Sequence, residues 1–353
     1  MSSAAKTLAS VIAANVLAFA LLASPGHAAF PGANGRIAFN EALDNPLQIH
    51  LLNPDGTGKS QLTTGSEHHF APAWSADGQR LALILAADVA VMNGDGTGLR
   101  QVTSGSRASC PAWSPDGTQL AFGTAAGTIH VVNVDGTGQT PVPHTDLSFD
   151  CPSWSPDGAK LAFGGPSGPV ENRDIFTVDM DGTDLTQVTF TEDAESRPDW
   201  SPHGTMLAYV KTQRIVAGGE EATFGTSSIA VVNGDGTDIR DLTFRNGDIE
   251  DRTPAWSPDG TKIVFSSTNY RYESTDLGHA LETVTVADGT INRIYQSAQV
   301  PHSPSWQPLP VIGSEDYKNR STFCKAEQKR LGGEFRQVYR NFGGCVSRGQ
   351  KTR

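Results

Sequence analysis

Hydrophobic and polar positions along this chain repeat one pattern, which begins with Pro-x-Trp. A tight turn of the Ser-Pro-Asp-Gly type follows, because Pro fixes φ and Gly supplies a positive φ. A short apolar run of the Leu-Ala-Phe type then predicts a buried strand. All six tryptophans belong to this phrase, which reads APAWSADGQRLAL at Trp74, CPAWSPDGTQLAF at Trp113, CPSWSPDGAKLAF at Trp154, RPDWSPHGTMLAY at Trp200, TPAWSPDGTKIVF at Trp256 and SPSWQPLP at Trp306.

Each repeat continues with a strand of alternating pattern, such as DVAVMN, TIHVVN, DIFTVD or SIAVVN. A second hairpin turn of the Asn-x-Asp-Gly-Thr type follows, and a short QLT, QVT or DLT segment completes four strands. Successive tryptophans lie 39, 41, 46, 56 and 50 residues apart. These spacings are typical of four-stranded propeller blades that differ in loop length.

Two incomplete repeats at the ends of the pattern predict how the ring closes. The Trp306 strand has no second strand after it, whereas the strand around Ile37 has no Trp strand before it. Pairing the two leaves no free sheet edge, whereas an open solenoid would leave a partial blade at each end. Residues 30–308 are therefore predicted to form an all-β, six-bladed β-propeller of four-stranded antiparallel blades, closed by its N- and C-terminal strands.

The repeat resembles the WD40-like repeat family typified by the TolB propeller, whose pattern is PxWSPDGxxIAF followed by IYxMNxDG and LT. The resemblance covers roughly residues 34–308 and implies the same fold. Blade six departs from the pattern, because TVTVADGTINRIYQ keeps Asp288-Gly289 but lacks the Asn and the LT. TolB carries an α/β domain ahead of its propeller, and here the first strand is expected to follow a leader directly. A role in the Tol-Pal system is therefore not carried over.

The first 28 residues are predicted to be a secretory signal peptide. Lys6 precedes an apolar run from Leu8 to Ala23, and Gly26-His27-Ala28 supplies small residues at the cleavage site. The alternative is a membrane anchor, but this run is shorter than the ~20 residues needed to span a bilayer. An extracytoplasmic chain is expected, either secreted or in the periplasm or cell envelope, with no membrane span after cleavage. Export also permits disulfides.

Charge is unevenly distributed along the chain. Residues 311–353 contain 10 Lys and Arg against 4 Asp and Glu, although the whole chain has a net charge of −11. An acidic body disfavours nucleic acid as a partner. The tail is predicted to form a small helical hairpin bounded by Cys324 and Cys345, which are expected to be bonded. It is either a solvated tail or a basic anchor for an anionic envelope polymer.

Strand direction assigns each connection to one of two faces. With the Trp strand as innermost strand A of each blade, the two repeated tight turns lie on one face, called the turn face. The D-to-A and B-to-C connections lie on the other, called the loop face. The B-to-C connection is predicted to be short in blade two, at Leu85–Ala87, and longer in blades four to six, at Gly164–Asp174, Lys211–Ser228 and Ser266–Thr283. Variable loops on a rigid scaffold carry function, so a ligand is expected over blades four to six.

The D-to-A connections are predicted to bring polar side chains to the mouth of the central channel. The candidates are Glu67, His68, His69, Arg107, Asp150, Glu195, Arg197, Glu250, Asp251, Arg252 and His302. Such a ring is able to hold a divalent cation, a peptide terminus or a sugar; alternatively, these side chains are solvated or pair with one another. No other cofactor is expected. The repeated Asp of the second turn is assigned to hairpin structure, because Val91, Val131 and Val231 stand where a calcium loop needs its first carboxylate.

Cys110 and Cys151 each lie three residues before a Trp in adjacent blades. Equivalent positions on neighbouring inner strands are expected roughly 6–8 Å apart, near the upper limit for a disulfide. A stabilising bridge between blades two and three is predicted.

The function predicted from these features is a non-catalytic binding propeller. Its partner is expected to be a protein or an envelope polymer, and the chain is expected to be a monomer. The alternative is a propeller enzyme of the lyase or lactonase type with a metal at the channel mouth. A propeller that gates a peptidase is disfavoured, because no GxSxG motif is present.

Overall fold

The computed structural model describes residues 30–41, 46–145, 151–167, 172–215, 223–244, 249–269 and 278–310. The predicted signal peptide, the basic tail with Cys324 and Cys345, and Asp150 lie outside these ranges. Contacts divide the chain into two units, Met1–Leu309 and Pro310–Arg353. All described strands belong to the first unit, and no helix long and apolar enough to cross a membrane occurs in the described ranges.

The strands form six antiparallel four-stranded sheets, which are the six predicted blades. Blade one contains β24 (His302–Leu309), β1 (Ala33–Glu41), β2 (Gln48–Leu52) and β3 (Ser60–Gln61). Blade two contains β4 (His69–Trp74), β5 (Arg80–Leu85), β6 (Asp88–Asn93) and β7 (Arg100–Gln101). Blade three contains β8 (Ala108–Trp113), β9 (Gln119–Thr124), β10 (Ile129–Asn133) and β11 (Thr140–Pro141).

The remaining blades follow the same order along the chain. Blade four contains β12 (Ser153–Trp154), β13 (Lys160–Ser167), β14 (Asn172–Asp179) and β15 (Thr186–Gln187). Blade five contains β16 (Ala194–Trp200), β17 (Met206–Ile215), β18 (Thr223–Asn233) and β19 (Arg240–Asp241). Blade six contains β20 (Ile249–Trp256), β21 (Lys262–Asn269), β22 (His279–Thr285) and β23 (Ile291–Ser297).

The predicted seam is confirmed in blade one. Strand β1 pairs antiparallel with β24, with Ile37 opposite Trp306 and Ala33 opposite Leu309. The last strand of the pattern therefore supplies the inner strand that the first repeat lacks, and the ring has no unpaired edge at this point.

A bulge interrupts the inner Trp strands just before their proline. In β4 the register with β5 shifts between Phe70 and Ala73, and Ala71 has a φ of 52°. Proline has no N–H to donate to a ladder, so a bulge is where a strand tolerates it. Positive φ values also occur at the equivalent residues Cys110, Arg197, Thr253 and Ser303.

Apolar clusters fill the spaces between neighbouring blades, and the tryptophans anchor them. Trp113 is 3% exposed and packs with the apolar strands of blade two. Its indole N–H donates to the carbonyl of Ala73 at 3.0 Å, and the Trp154 indole donates to Ala112 in the same way at 3.2 Å. Each of these indoles therefore links its own blade to the preceding inner strand.

The repeated turns hold their own aspartates. Asp95 accepts hydrogen bonds from the backbone N–H and hydroxyl of Thr97, at 3.0 and 2.7 Å. Asp116 accepts a bond from Ser114 at 2.6 Å. These contacts support the assignment of the repeated Asp to hairpin structure.

The structure corrects the prediction for the B-to-C connections. In blade two Leu85 pairs directly with Asp88, so the connection is the two residues Ala86-Ala87. In blades four to six the segments treated as long loops are in large part strand, because strands B and C continue pairing toward the loop face. Ser167 pairs with Asn172, and the ladders of β17 with β18 and of β21 with β22 continue in the same way.

Candidate functional site on the loop face

The six inner strands surround a central channel. A cavity of about 190 Å³ on this axis is lined mainly by the Pro-x-Trp residues of all six strands and by Phe30. This lining is predominantly apolar. The channel is therefore lined mainly by residues that belong to the structural repeat.

The residue three positions before each Trp lines this channel, namely Ala71, Cys110, Cys151, Arg197, Thr253 and Ser303. Cys110 and Cys151 form a disulfide with a Cα–Cα distance of 5.0 Å. The predicted bridge is confirmed, and its Cα atoms are closer than the roughly 6–8 Å expected from ring geometry. Thr253 and Ser303 were missed as channel residues, although their register relative to Trp could have identified them.

A second cavity, of about 340 Å³, lies where blades four, five and six meet on the loop face. This loop-face cavity is lined by Arg173, Ala194, Glu195, Ser196, Arg197, Val210, Thr212, Ser227, Glu250 and Arg252. These residues lie at the starts of strands A and C and at the end of strand B, which all point to the loop face. The cavity brings together four of the predicted candidates, Glu195, Arg197, Glu250 and Arg252.

Four polar lining residues were not predicted. Arg173, Thr212 and Ser227 lie on strands B and C, in segments treated as loops, so their register was unknown. Ser196 directly follows the predicted residue Glu195 on β16. Ser227 is 5% exposed, and its hydroxyl has no hydrogen-bond partner among the described residues.

Glu195 is a fully buried carboxyl group at the edge of this cavity. Its side chain is 0% exposed, and Oε1 accepts a hydrogen bond from the Thr191 hydroxyl at 2.8 Å. Its other oxygen, Oε2, receives no hydrogen bond of satisfactory geometry within the described ranges. Burial, assisted by the negative charge of nearby Asp174, raises the pKa of Glu195 to about 7. Asp174 is also buried, and burial raises its pKa.

Three arginines, Arg173, Arg197 and Arg252, line the cavity together with the carboxyl groups of Glu195 and Glu250. Arg252 forms an ion pair with Glu250. The pKa of His302 is lowered by burial and then by the positive charges of Arg197 and Arg252. His302 therefore lies within range of the positive charge of both arginines.

The other candidates lie elsewhere. Glu67 and His68 are exposed, and His68 Nδ1 accepts the backbone N–H of Leu47 at 3.1 Å. His69 is 4% exposed and burial lowers its pKa. Arg107 is exposed and Asp251 is buried, and neither lines the cavity. Within the described ranges, no group of three or more His, Cys, Asp or Glu side chains is arranged to hold a metal ion.

The fold and cavity define a closed, six-bladed β-propeller with a charged cavity on one face. A family model described as the TolB beta propeller domain matches residues 34–310. The chain belongs to this family, as its repeat predicted. Comparison with curated proteins finds no match.

Solved structures share this fold at low sequence identity. TolB from Acinetobacter baumannii is 18% identical with a TM-score of 0.63, covering 78% of this chain and 67% of that one. The putative TolB from Agrobacterium tumefaciens is 19% identical with a TM-score of 0.59, covering 78% of this chain and 99% of that one. An oligogalacturonate lyase in complex with manganese is 16% identical with a TM-score of 0.51 over 77% of both chains.

Proposed function

We propose that this protein is an extracytoplasmic, non-catalytic binding propeller whose ligand occupies the loop-face cavity. The observation that carries the proposal is the cavity itself, where three blades bring together charged side chains and a fully buried carboxyl group. Ligand sites typically combine a preformed concavity with a few convergent polar groups. The ligand is a segment of a protein or of an envelope polymer, presented to the monomeric propeller.

Two observations support an extracytoplasmic location. The N-terminal 28 residues have the pattern of a signal peptide. The disulfide between Cys110 and Cys151 is of a kind that persists in oxidising compartments outside the cytoplasm.

The lyase alternative rests on likeness of fold. The oligogalacturonate lyase of similar fold is in complex with manganese, and a metal-dependent enzyme needs several ligands converging on one point. The described residues bring together no such group of His, Cys, Asp and Glu. The proposal of binding rests instead on the loop-face cavity, to which three blades contribute charged side chains.

Site-specific photo-crosslinking tests the proposal. A photo-reactive amino acid replaces Thr212 in the cavity, or Thr118 on the turn face as the matched control, since both are threonines next to repeated blade elements. With an extract of the native cell envelope, adducts are expected from position 212 and not from position 118. Equal labelling at both positions, or none at 212, would contradict a loop-face site. Chemical conversion of extract components by the purified protein would overturn its non-catalytic nature.

A further inference from the structure

The loop-face cavity has an arginine-rich lining in an acidic protein. Outside the leader and tail, acidic residues outnumber basic ones 34 to 16. Among the residues that line the cavity the balance reverses, with Arg173, Arg197 and Arg252 against Glu195 and Glu250. The neighbouring acids Asp174, Asp193 and Asp241 are not part of this lining. The protein has a net negative charge, yet three guanidinium groups lie together in this lining. Neither solubility nor the propeller repeat explains this arrangement.

We propose that the group bound in this cavity is a carboxylate, held by Arg173, Arg197 and Arg252. This inference rests on the proposed function, since it names the chemical class of the ligand at that same site. Guanidinium groups present planar pairs of N–H donors that match the two oxygens of a carboxylate.

The three arginines converge from three different blades. Arg173 lies on β14 of blade four, Arg197 on β16 of blade five and Arg252 on β20 of blade six. Arg197 lies at the bulge of its strand, with a φ of 55°, and it lines both the cavity and the central channel. The ion pair with Glu250 orients Arg252. A ligand carboxylate at this junction would contact all three blades at once.

His302 lies within range of the charge of two of these arginines. Arg197 and Arg252 both contribute to lowering its pKa, after the larger effect of burial. The same positive potential that disfavours the imidazolium form favours an anion nearby.

Buried polar atoms complete the site. The Ser227 hydroxyl has no partner among the described residues, so it is available to donate to a ligand oxygen. The Glu195 carboxyl group interacts with the other buried acid, because a hydrogen bond with Glu195 lowers the pKa of Asp174 against the larger effect of burial. Burial raises the pKa of Glu195 to about 7, so below neutral pH Glu195 is largely protonated and adds little negative charge to the cavity. Ionisation of Glu195 would instead repel a carboxylate.

Several charged and titratable groups surround Glu195 and bear on the pH dependence of ligand binding. They are Asp174 on β14, Asp193 just before β16, Arg197 on β16, Tyr209 and Lys211 on β17, Asp241 on β19, and Arg252 with Glu250 on β20. Lys211 already pairs with Asp241 at 3.2 Å and with Asp193 at 3.5 Å. Asp174 remains the neighbouring acid whose pKa burial also raises.

Isothermal titration calorimetry with matched probes tests the proposal on the purified full chain. Glucuronate is compared with glucose, and an acetylated dipeptide acid with its amide, so that each pair differs mainly in the carboxylate. At least one of the two acids is expected to bind about tenfold more tightly, or better, than its neutral partner. This ratio corresponds to the free energy of one hydrogen bond to a charged group. The acid that binds identifies the source as sugar or peptide.

Variants connect this binding to the named residues. Arg173→Gln and Arg197→Gln are each expected to weaken carboxylate binding about tenfold or more. Arg107→Gln is the control, because Arg107 is also on a loop-face connection but does not line the cavity. The affinity of wild-type protein is expected to fall between pH 6 and pH 8 as Glu195 ionises, whereas Glu195→Gln keeps a constant affinity over this range.

The proposal is overturned if neither acid binds, if the neutral partners bind equally well, or if inorganic phosphate binds while both carboxylates do not. Unchanged binding in both Arg173→Gln and Arg197→Gln would also overturn it. These outcomes are separable from failure of the proposed function. Crosslinking at position 212 would survive a wrong ligand class, whereas a wrong site would remove it.

Discussion

Cys110 and Cys151 lie at equivalent positions on neighbouring inner strands, three residues before Trp113 and Trp154, and their sulfur atoms are bonded with Cα atoms 5.0 Å apart. The bridge closes a segment of chain that contains most of blade three. The disulfide therefore constrains blades two and three at the channel, where the apolar side chains of neighbouring inner strands pack together.

Removing this bridge with Cys110→Ser and Cys151→Ser is expected to lower the free energy of unfolding by about 2–4 kcal/mol, because a long loop is released in the unfolded state. Urea unfolding followed by tryptophan fluorescence measures the change. A reducing agent acts on the wild type at both this bridge and the predicted Cys324–Cys345 bridge, so the double variant isolates the first. Identical unfolding midpoints for variant and wild type would contradict a stabilising role.

The interface between blades one and six contains a buried carboxylate. Glu41 is 0% exposed and accepts hydrogen bonds from Lys59, Tyr295 and Ser297. Glu41→Gln is expected to destabilise the protein by about 2 kcal/mol, since charged hydrogen bonds are lost in a desolvated place. Asp238→Asn removes an exposed pair with Arg240 and is expected to have little effect. Denaturant titration of both variants measures the two stabilities, and equal stability would contradict the role given to the interface between blades one and six.

One glycine of the second hairpin turn is required for two separate reasons. Gly136 has a φ of 93°, and a Cβ there would lie 2.9 Å from the carbonyl oxygen of Val102 in the preceding blade. Gly105 has a φ of 70° with open space around it. Gly136→Ala is therefore expected to cost more than Gly105→Ala, for which only backbone strain of about 1–2 kcal/mol applies. Thermal unfolding compares them, and a reversed order would be inconsistent with close blade packing.

Asp199 makes stability depend on pH near neutrality. Its carboxylate accepts the Trp256 backbone N–H at 2.8 Å, and burial raises its pKa to about 7. A carboxyl pKa that is higher in the folded state means that folding binds protons between about pH 4 and pH 7. The free energy of unfolding is thus expected to fall as pH rises through this window. Many turn aspartates have lowered pKa values, and their effect appears at lower pH.

Asp199→Asn tests this pH dependence, because the amide oxygen can still accept the Trp256 N–H. The variant is expected to show a shallower fall in stability from pH 5 to pH 8 than the wild type. Denaturant unfolding at intervals across that range provides the measurement. Parallel curves for the two proteins would show that Asp199 does not titrate as described.

The ring and its seam could be predicted from sequence because every blade repeats the same local pattern. The Trp306 strand and the Ile37 strand each lacked a partner, and only one pairing satisfied both. The loop-face cavity could be predicted only in part. Glu195 and Arg252 were found because they precede a Trp at a countable distance. Arg173 and Thr212 were missed because strands B and C vary in length there, and the approach of three blades is not encoded in any one repeat.

Hydrogen exchange most directly tests the claim that the loop face over blades four to six binds the ligand. Amide exchange of the full chain is measured with and without an extract of the native cell envelope. Ligand binding on the loop face is expected to slow exchange in the first residues of β16 and β20, around Glu195 and Arg252, and to leave the turns that contain Asp95 and Asp116 unchanged. Protection confined to the turn face, or spread evenly over all six blades, would contradict it.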